Sequence, residues 1–106
     1  MTGQKKIRKA VYSGTFYPED PGELEQLVFR YLDVPVKTVQ GSINGLIVPH
    51  AGYVYSGEVA GQGYAMLDSY RGMSYADRSA TVFLLGPTHR VAVDGIAVSG
   101  ADVWET

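Results

Sequence analysis

The sequence contains no cysteine. Within the chain this excludes a disulfide framework, a thiolate nucleophile and a zinc ribbon, and it makes a reducing, cytoplasmic setting the expectation. Long apolar runs are missing too: no stretch approaches the ~20 residues that a membrane-spanning helix requires. The N-terminal "MTGQKKIRKAVYSG" is charged and lacks the apolar segment of a secretory signal. Charge is sparse and nearly balanced, nine basic against eleven acidic residues, for a formal net charge of −2. No broad positive field is available, so neither nucleic acid nor a membrane is an expected partner. The one basic cluster, "KKIRK" at residues 5–9, reads as a solvated N-terminal arm. Neither a P-loop nor a GxGxxG fingerprint is present to cradle a phosphate.

What is present is a globular composition, 45% hydrophobic over 106 residues with no low-complexity tract. That suits a single small domain, residues 1–106, whose core is adequate but not generous. In "EDPGELEQLVFRYLD", Asp20 is placed to cap a helix, with Pro21 at its first position and Glu23 as the partner of a capping box. Leu24, Leu27, Val28, Tyr31 and Leu32 then fall on one stripe at helical spacing. The preceding "AVYSGTFYP" reads as an aromatic extended loop broken by Gly14 and Pro18. A second helix is expected in "SGEVAGQGYAMLDSY", capped by Ser56, with Gly61 and Gly63 allowing close helix–sheet packing at about 1 kcal/mol each in helix propensity.

Two short runs, "GLIVP" at residues 45–49 and "ATVFLLG" at residues 80–86, are continuously apolar instead of alternating. That pattern suits strands covered on both faces, as in a parallel sheet. With the helix between them and the polar connector "YRGMSYADRS" at residues 70–79, they predict a βαβ unit and an α/β fold class. "DGIAVSG" and "ADVWET" are two further candidate strands. A two-stranded parallel core leaves edge and face open, so an incomplete domain, or a homo-oligomer covering the open sheet, is expected.

The chain's two histidines occupy matching positions. His50 follows "LIVP" and His89 follows "LLGPT", each just past a predicted strand. In a parallel unit both strand ends lie on one rim, where open α/β folds take their ligands. Pro49 and Pro87 end each run sharply and send the loop over that rim. Two convergent neutral imidazoles are the usual start of a first-row transition-metal site, and a catalytic site adds a third protein ligand. Asp94, Asp102 and Glu105 lie downstream, and their spacing favours none of them. Tyr53 and Tyr55 are two apart and would face the same way in an extended segment, offering hydroxyls to the His50 rim. Arg90 is expected in solvent.

"GTFYPEDPGELEQLV", "LIVPHAGYVYSGEVAGQGYAML" and "VFLLGPTHRVAVDGIAVSGADVWET", in that order, resemble the N-terminal part of the MEMO-like family, also called AmmeMemoRadiSam system protein B. The resemblance implies a LigB-like αβα sandwich, related to the class III extradiol dioxygenases, of which this chain would hold the N-terminal part with its βαβ core. It further implies that His50 and His89 are metal ligands for Fe(II) or Cu. Phe16 and Tyr55 match cleft-lining positions, and Tyr53 lies beside them. Relatives are longer, and their remaining ligand, often a cysteine, lies in the C-terminal part, so the third ligand is not expected in this chain. Three functions compete on this basis. The first is a dioxygenase-type oxidoreductase acting on a small organic substrate. The second is a non-catalytic module that captures a peptide or phosphotyrosine in the same cleft through Phe16, Tyr53 and Tyr55. The third is an inactive fragment.

Overall fold

Four short elements organise the computed structural model, which describes residues 3–36, 39–69 and 81–106. In chain order they are β1 (Ile7–Arg8), α1 (Pro21–Leu32), α2 (Tyr53–Ser69) and β2 (Val103–Trp104). The two strands pair in parallel, Ile7 opposite Val103 and Arg8 opposite Trp104. The class is α/β, as expected. Contacts divide the chain into two compact units: residues 11–77 contain both helices, and residues 1–10 with 78–106 contain both strands.

α1 starts where its sequence says it should. Asp20 is its N-cap, accepting the Glu23 backbone N–H at 2.8 Å, and Pro21 occupies the first turn, where its missing N–H costs nothing. The last turn closes on Asp33, whose N–H donates to the Phe29 carbonyl at 2.9 Å. Leu24, Leu27, Val28 and Tyr31 form the least exposed stripe of α1, which packs on α2.

α2 begins four residues earlier than a cap at Ser56 implies. Gly52 takes the cap position: its carbonyl accepts the N–H groups of Tyr55 and Ser56 at 2.9 and 3.1 Å. Ser56 therefore lies inside the first turn and is no cap. Three glycines set how closely α2 is approached. A Cβ on Gly57 would stand 2.5 Å from the Tyr31 ring, and one on Gly61 would meet the Tyr31 backbone carbonyl. A Cβ on Gly63 would stand 2.6 Å from Val48 Cγ1. The small residues thus serve helix–helix packing at two positions and packing on the 45–49 run at the third.

The predicted βαβ ladder is the main correction. Among the described residues neither 45–49 nor 81–86 makes ladder hydrogen bonds, and "DGIAVSG" is irregular too. Of the predicted strands only "ADVWET" contributes, and its partner is the basic "KKIRK" arm. The reason lies in cover. Leu46 and Val48 are partly buried against Gly63, while Ile47 between them is 101% exposed. Val82, Phe83, Leu84 and Leu85 are uncovered as well, Leu84 being 84% exposed. A run that is apolar on both sides needs two layers to be held as a strand, and here 45–49 has one and 81–86 has none among the described residues. The connector at 70–79, and Ala80 at the start of the second run, lie outside the described residues. The only buried apolar side chain among those described is Ala65, at 4% exposure.

The β1–β2 pair is held mostly by polar groups. Lys6 and Asp102 form a reciprocal contact, with the Lys6 N–H donating to the Asp102 carboxylate at 2.8 Å and the Asp102 N–H donating to the Lys6 carbonyl at 2.9 Å. Lys9 Nζ reaches Glu105 Oε1 at 2.9 Å, and the Arg8 guanidinium lies 4.7 Å from the Trp104 ring centroid. The arm is solvated on its outside, as expected, but it is also a strand.

Candidate functional site

His50 stands on irregular backbone between Pro49 and α2, with an exposed side chain. The segment before it is anchored sideways by Leu46 and Val48 on α2. The segment after it is tied by hydrogen bonds. The Ser56 hydroxyl donates to the Ala51 carbonyl at 3.1 Å, and the Tyr53 N–H donates to the Phe16 carbonyl at 2.8 Å. The Tyr31 hydroxyl donates to the Tyr53 carbonyl at 3.1 Å.

Phe16 reaches this neighbourhood through a tight turn. The N–H groups of Thr15 and Phe16 both donate to the Tyr12 carbonyl, at 3.0 and 2.9 Å, and Gly14 has φ +75°, a conformation that glycine adopts without strain. The Gly14 N–H then closes on the Tyr17 carbonyl at 2.9 Å. Inside the turn the Tyr12 and Phe16 rings stack at 4.6 Å between centroids with 7° between planes. Phe16 is therefore presented partly exposed, beside the start of α2.

The two tyrosines do not face the same way. Both belong to the first turn of α2, where positions two apart point to opposite sides of the helix. Tyr53 is half-buried, with its ring 5.8 Å from Tyr17 and 6.4 Å from Tyr31. Tyr55 is 86% exposed. The structure thus groups Phe16 and Tyr53 at one end of α2, directly after His50, and sends Tyr55 outward from it.

His89 belongs to the other unit, in an irregular, exposed segment after Pro87, with Arg90 exposed beside it. Of the three candidate carboxylates, Asp102 and Glu105 are engaged in pairing β1 with β2. Asp94 precedes Gly95, which turns the chain with φ +87°. Among the described residues no three His, Asp or Glu side chains come together as a metal-holding group. Imidazole nitrogen is donor chemistry that suits a first-row transition metal, and the chain carries one such side chain in each unit.

Tyr31 and Ser56 were not recognised in the sequence as parts of this neighbourhood. Tyr31 reads as one more member of an apolar stripe, yet the spacing of Gly57 and Gly61, one helical turn apart, signals that something bulky approaches α2 there. Ser56 reads as a cap, a role serine fills so often that the alternative is masked.

Comparison with known proteins agrees with the motifs. The family model described as Memo-like protein matches residues 8–106. The chain is 34% identical over 101 residues to a MEMO1 family protein of Aquifex aeolicus, covering 95% of this chain and 34% of that protein. It is 36% identical over 101 residues to a MEMO1 family protein of Pyrococcus furiosus, covering 94% of this chain and 32% of the other. It is 29% identical over 106 residues to Protein MEMO1 of Danio rerio, covering 100% of this chain and 33% of that protein. The chain thus spans about a third of the length of the curated relatives it matches. No solved structure matches it significantly. The match from residue 8 to residue 106 establishes that the chain belongs to the Memo-like family.

Proposed function

We propose that the chain supplies part of a metal cleft of dioxygenase type, with His50 and His89 as ligands for Fe(II) or Cu. The observation that carries this reading is the His50 corner: an exposed imidazole on a loop tied at both ends to a 17-residue helix. A ligand has to be both accessible and held, and His50 is both. The architecture that goes with the reading is the LigB-like αβα sandwich, in which the runs at 45–49 and 81–86 become inner strands once a second layer covers them. Ile47 and Leu84, exposed as they are here, have the side chains that such burial would use. In that arrangement His50 and His89 hold the ion, and the third ligand comes from outside this chain. When bound, the ion supplies redox and Lewis-acid chemistry toward O2 and a small organic substrate. Phe16 and Tyr53 form the aromatic wall beside His50, and Tyr55 presents a hydroxyl farther out. A cytoplasmic location, with a second copy covering the open apolar runs, belongs to the same reading.

Metal analysis of the purified chain after loading with Fe(II) or Cu(II) tests the proposal. Bound metal is expected to fall sharply in His50→Ala and in His89→Ala. Metal content unchanged by both substitutions would overturn it.

A second reading draws on the exposed aromatics. The stacked Tyr12–Phe16 pair and the outward Tyr55 are contact surface of the kind that captures a peptide, phosphotyrosine peptides included, without chemistry. Peptide binding that persists after chelation and in His50→Ala favours this module over the metal cleft.

A further inference from the structure

We infer that Ser56 and Tyr31 are positioning residues for His50, fixing the loop that carries its imidazole to the first turn of α2. The inference rests on the proposed role of His50 as a ligand and adds what holds it.

Ser56 is the only buried polar side chain among the described residues, at 8% exposure. A serine inside a helix ordinarily returns its hydroxyl to the carbonyl three or four residues back within the same helix. Here the hydroxyl goes to Ala51, outside α2 and immediately after His50, at 3.1 Å. The bond therefore does nothing for the helix's own ladder and ties the loop instead. Tyr31 acts from α1. Its hydroxyl donates to the carbonyl of Tyr53, the first residue of α2, across 22 positions of sequence. Gly57 leaves the space that its ring occupies, since a Cβ there would stand 2.5 Å from the ring. A third tie, from the Tyr53 N–H to the Phe16 carbonyl at 2.8 Å, completes the set and is made by backbone alone.

These three bonds converge on residues 51–53, the segment that carries the chain from His50 into α2. Partners bonded directly to a ligand are typically worth about 10- to 100-fold in metal affinity, and ties one to three residues along the backbone are expected at the lower end of that range. Neither Ser56 nor Tyr31 has to touch the ion to act. A purely structural alternative holds that both merely stabilise the helix pair.

The test uses the two hydroxyl deletions, Ser56→Ala and Tyr31→Phe, which keep the rest of each side chain, and Asp20→Ala as a control that weakens α1 without touching the three bonds. The chain has two histidines, one in each unit, so their imidazole NMR signals are few and are assigned with His50→Gln and His89→Gln. Both hydroxyl deletions are expected to move the His50 signals and leave those of His89 in place. Affinity for Cu(II), titrated alone, is expected to fall about tenfold or more in both. Asp20→Ala is expected to lower stability and leave the His50 signals and the affinity unchanged. Unmoved His50 signals in both hydroxyl deletions would overturn the positioning role, as would an equal movement in Asp20→Ala. Unchanged Cu(II) affinity in His50→Gln would overturn the ligand role instead, while the imidazole signals report on the clamp with or without metal.

Discussion

Gly61→Ala is the substitution on which the description of the helix pair is most exposed to failure. Two effects of known sign oppose each other. Alanine is the better helix former by about 1 kcal/mol, and that gain is available at any helical glycine. Against it stands the approach of α1. The new Cβ would meet the backbone carbonyl of Tyr31, and it would lie 2.6 Å from Tyr31 Cβ and 2.8 Å from the Tyr31 carbonyl carbon. These atoms belong to the main chain or its first branch, so no side-chain rotation relieves the overlap and the helices themselves must separate. Overpacking of this kind costs about 1–3 kcal/mol, and a backbone clash belongs at the upper end. The net expectation is a loss of about 2 kcal/mol. Gly63→Ala is the matched comparison, because its Cβ would meet a side-chain methyl, Val48 Cγ1 at 2.6 Å, on an irregular segment that can shift more readily than the α1 backbone. That variant is expected to lie within about 1 kcal/mol of neutral, the helix-propensity gain offsetting the low end of the overpacking cost. Urea titrations followed by circular dichroism at 222 nm, with slopes checked for constancy, measure both. Gly61→Ala equal to or more stable than Gly63→Ala would refute the close approach of α1 to α2 at Tyr31.

Two further substitutions probe the ends of the two units. Asp20→Ala removes the acceptor for the Glu23 N–H and is expected to cost about 1 kcal/mol, read as lost helical signal and a lower urea midpoint; an unchanged midpoint would mean that the cap contributes nothing. Lys9→Ala breaks the exposed pair with Glu105 and is expected to cost about 0.2–1 kcal/mol at low salt, with the difference vanishing near 1 M salt. The single tryptophan, Trp104, lies in β2 under the Arg8 guanidinium, so its emission reports on that pairing in the same titrations. A Lys9→Ala effect that persists at high salt would assign the loss to packing of the lysine stem.

α1 was legible residue by residue because its signals are local. Asp20, Pro21 and Glu23 mark the start within four positions, and the stripe from Leu24 to Leu32 sets the face. α2 was legible as a helix but not at its start. Its cap is the backbone of Gly52, which leaves no side-chain signature, whereas Ser56 has the side chain of a cap and uses it elsewhere. The consequence for the site is direct. With α2 beginning at Tyr53, the two tyrosines diverge, and only Tyr53 stays with Phe16 beside His50. β2 was legible in "ADVWET", but its partner was not. The contact from Lys6 to Asp102 spans 96 positions, and nothing in a charged pentapeptide points to a segment so distant.

The apolar runs raise a different difficulty, because their sequence describes more burial than the described residues provide. "LIV" within 45–49 is apolar at three successive positions, and only its first and third residues are covered, both from the α2 side. Leaving Ile47 in water forgoes roughly 1.5–3 kcal/mol of transfer free energy, and each residue of the exposed 82–85 run forgoes a similar amount. Those sums exceed anything the short parallel pair contributes, so among the described residues these runs have most to gain from a second layer. A layer on the Ile47 side would leave the α2 side unchanged, and with it the ties from Ser56, Tyr31 and Phe16 to residues 51–53. The two demands on a ligand therefore have separate sources. Under the proposed metal reading, the bonds within the helical unit supply the hold on the His50 loop, and the approach of His89 is left to the apolar runs becoming strands. Under that reading, covering those runs should change metal affinity while leaving the His50 imidazole signals in place, which metal titration and NMR of the same sample would check.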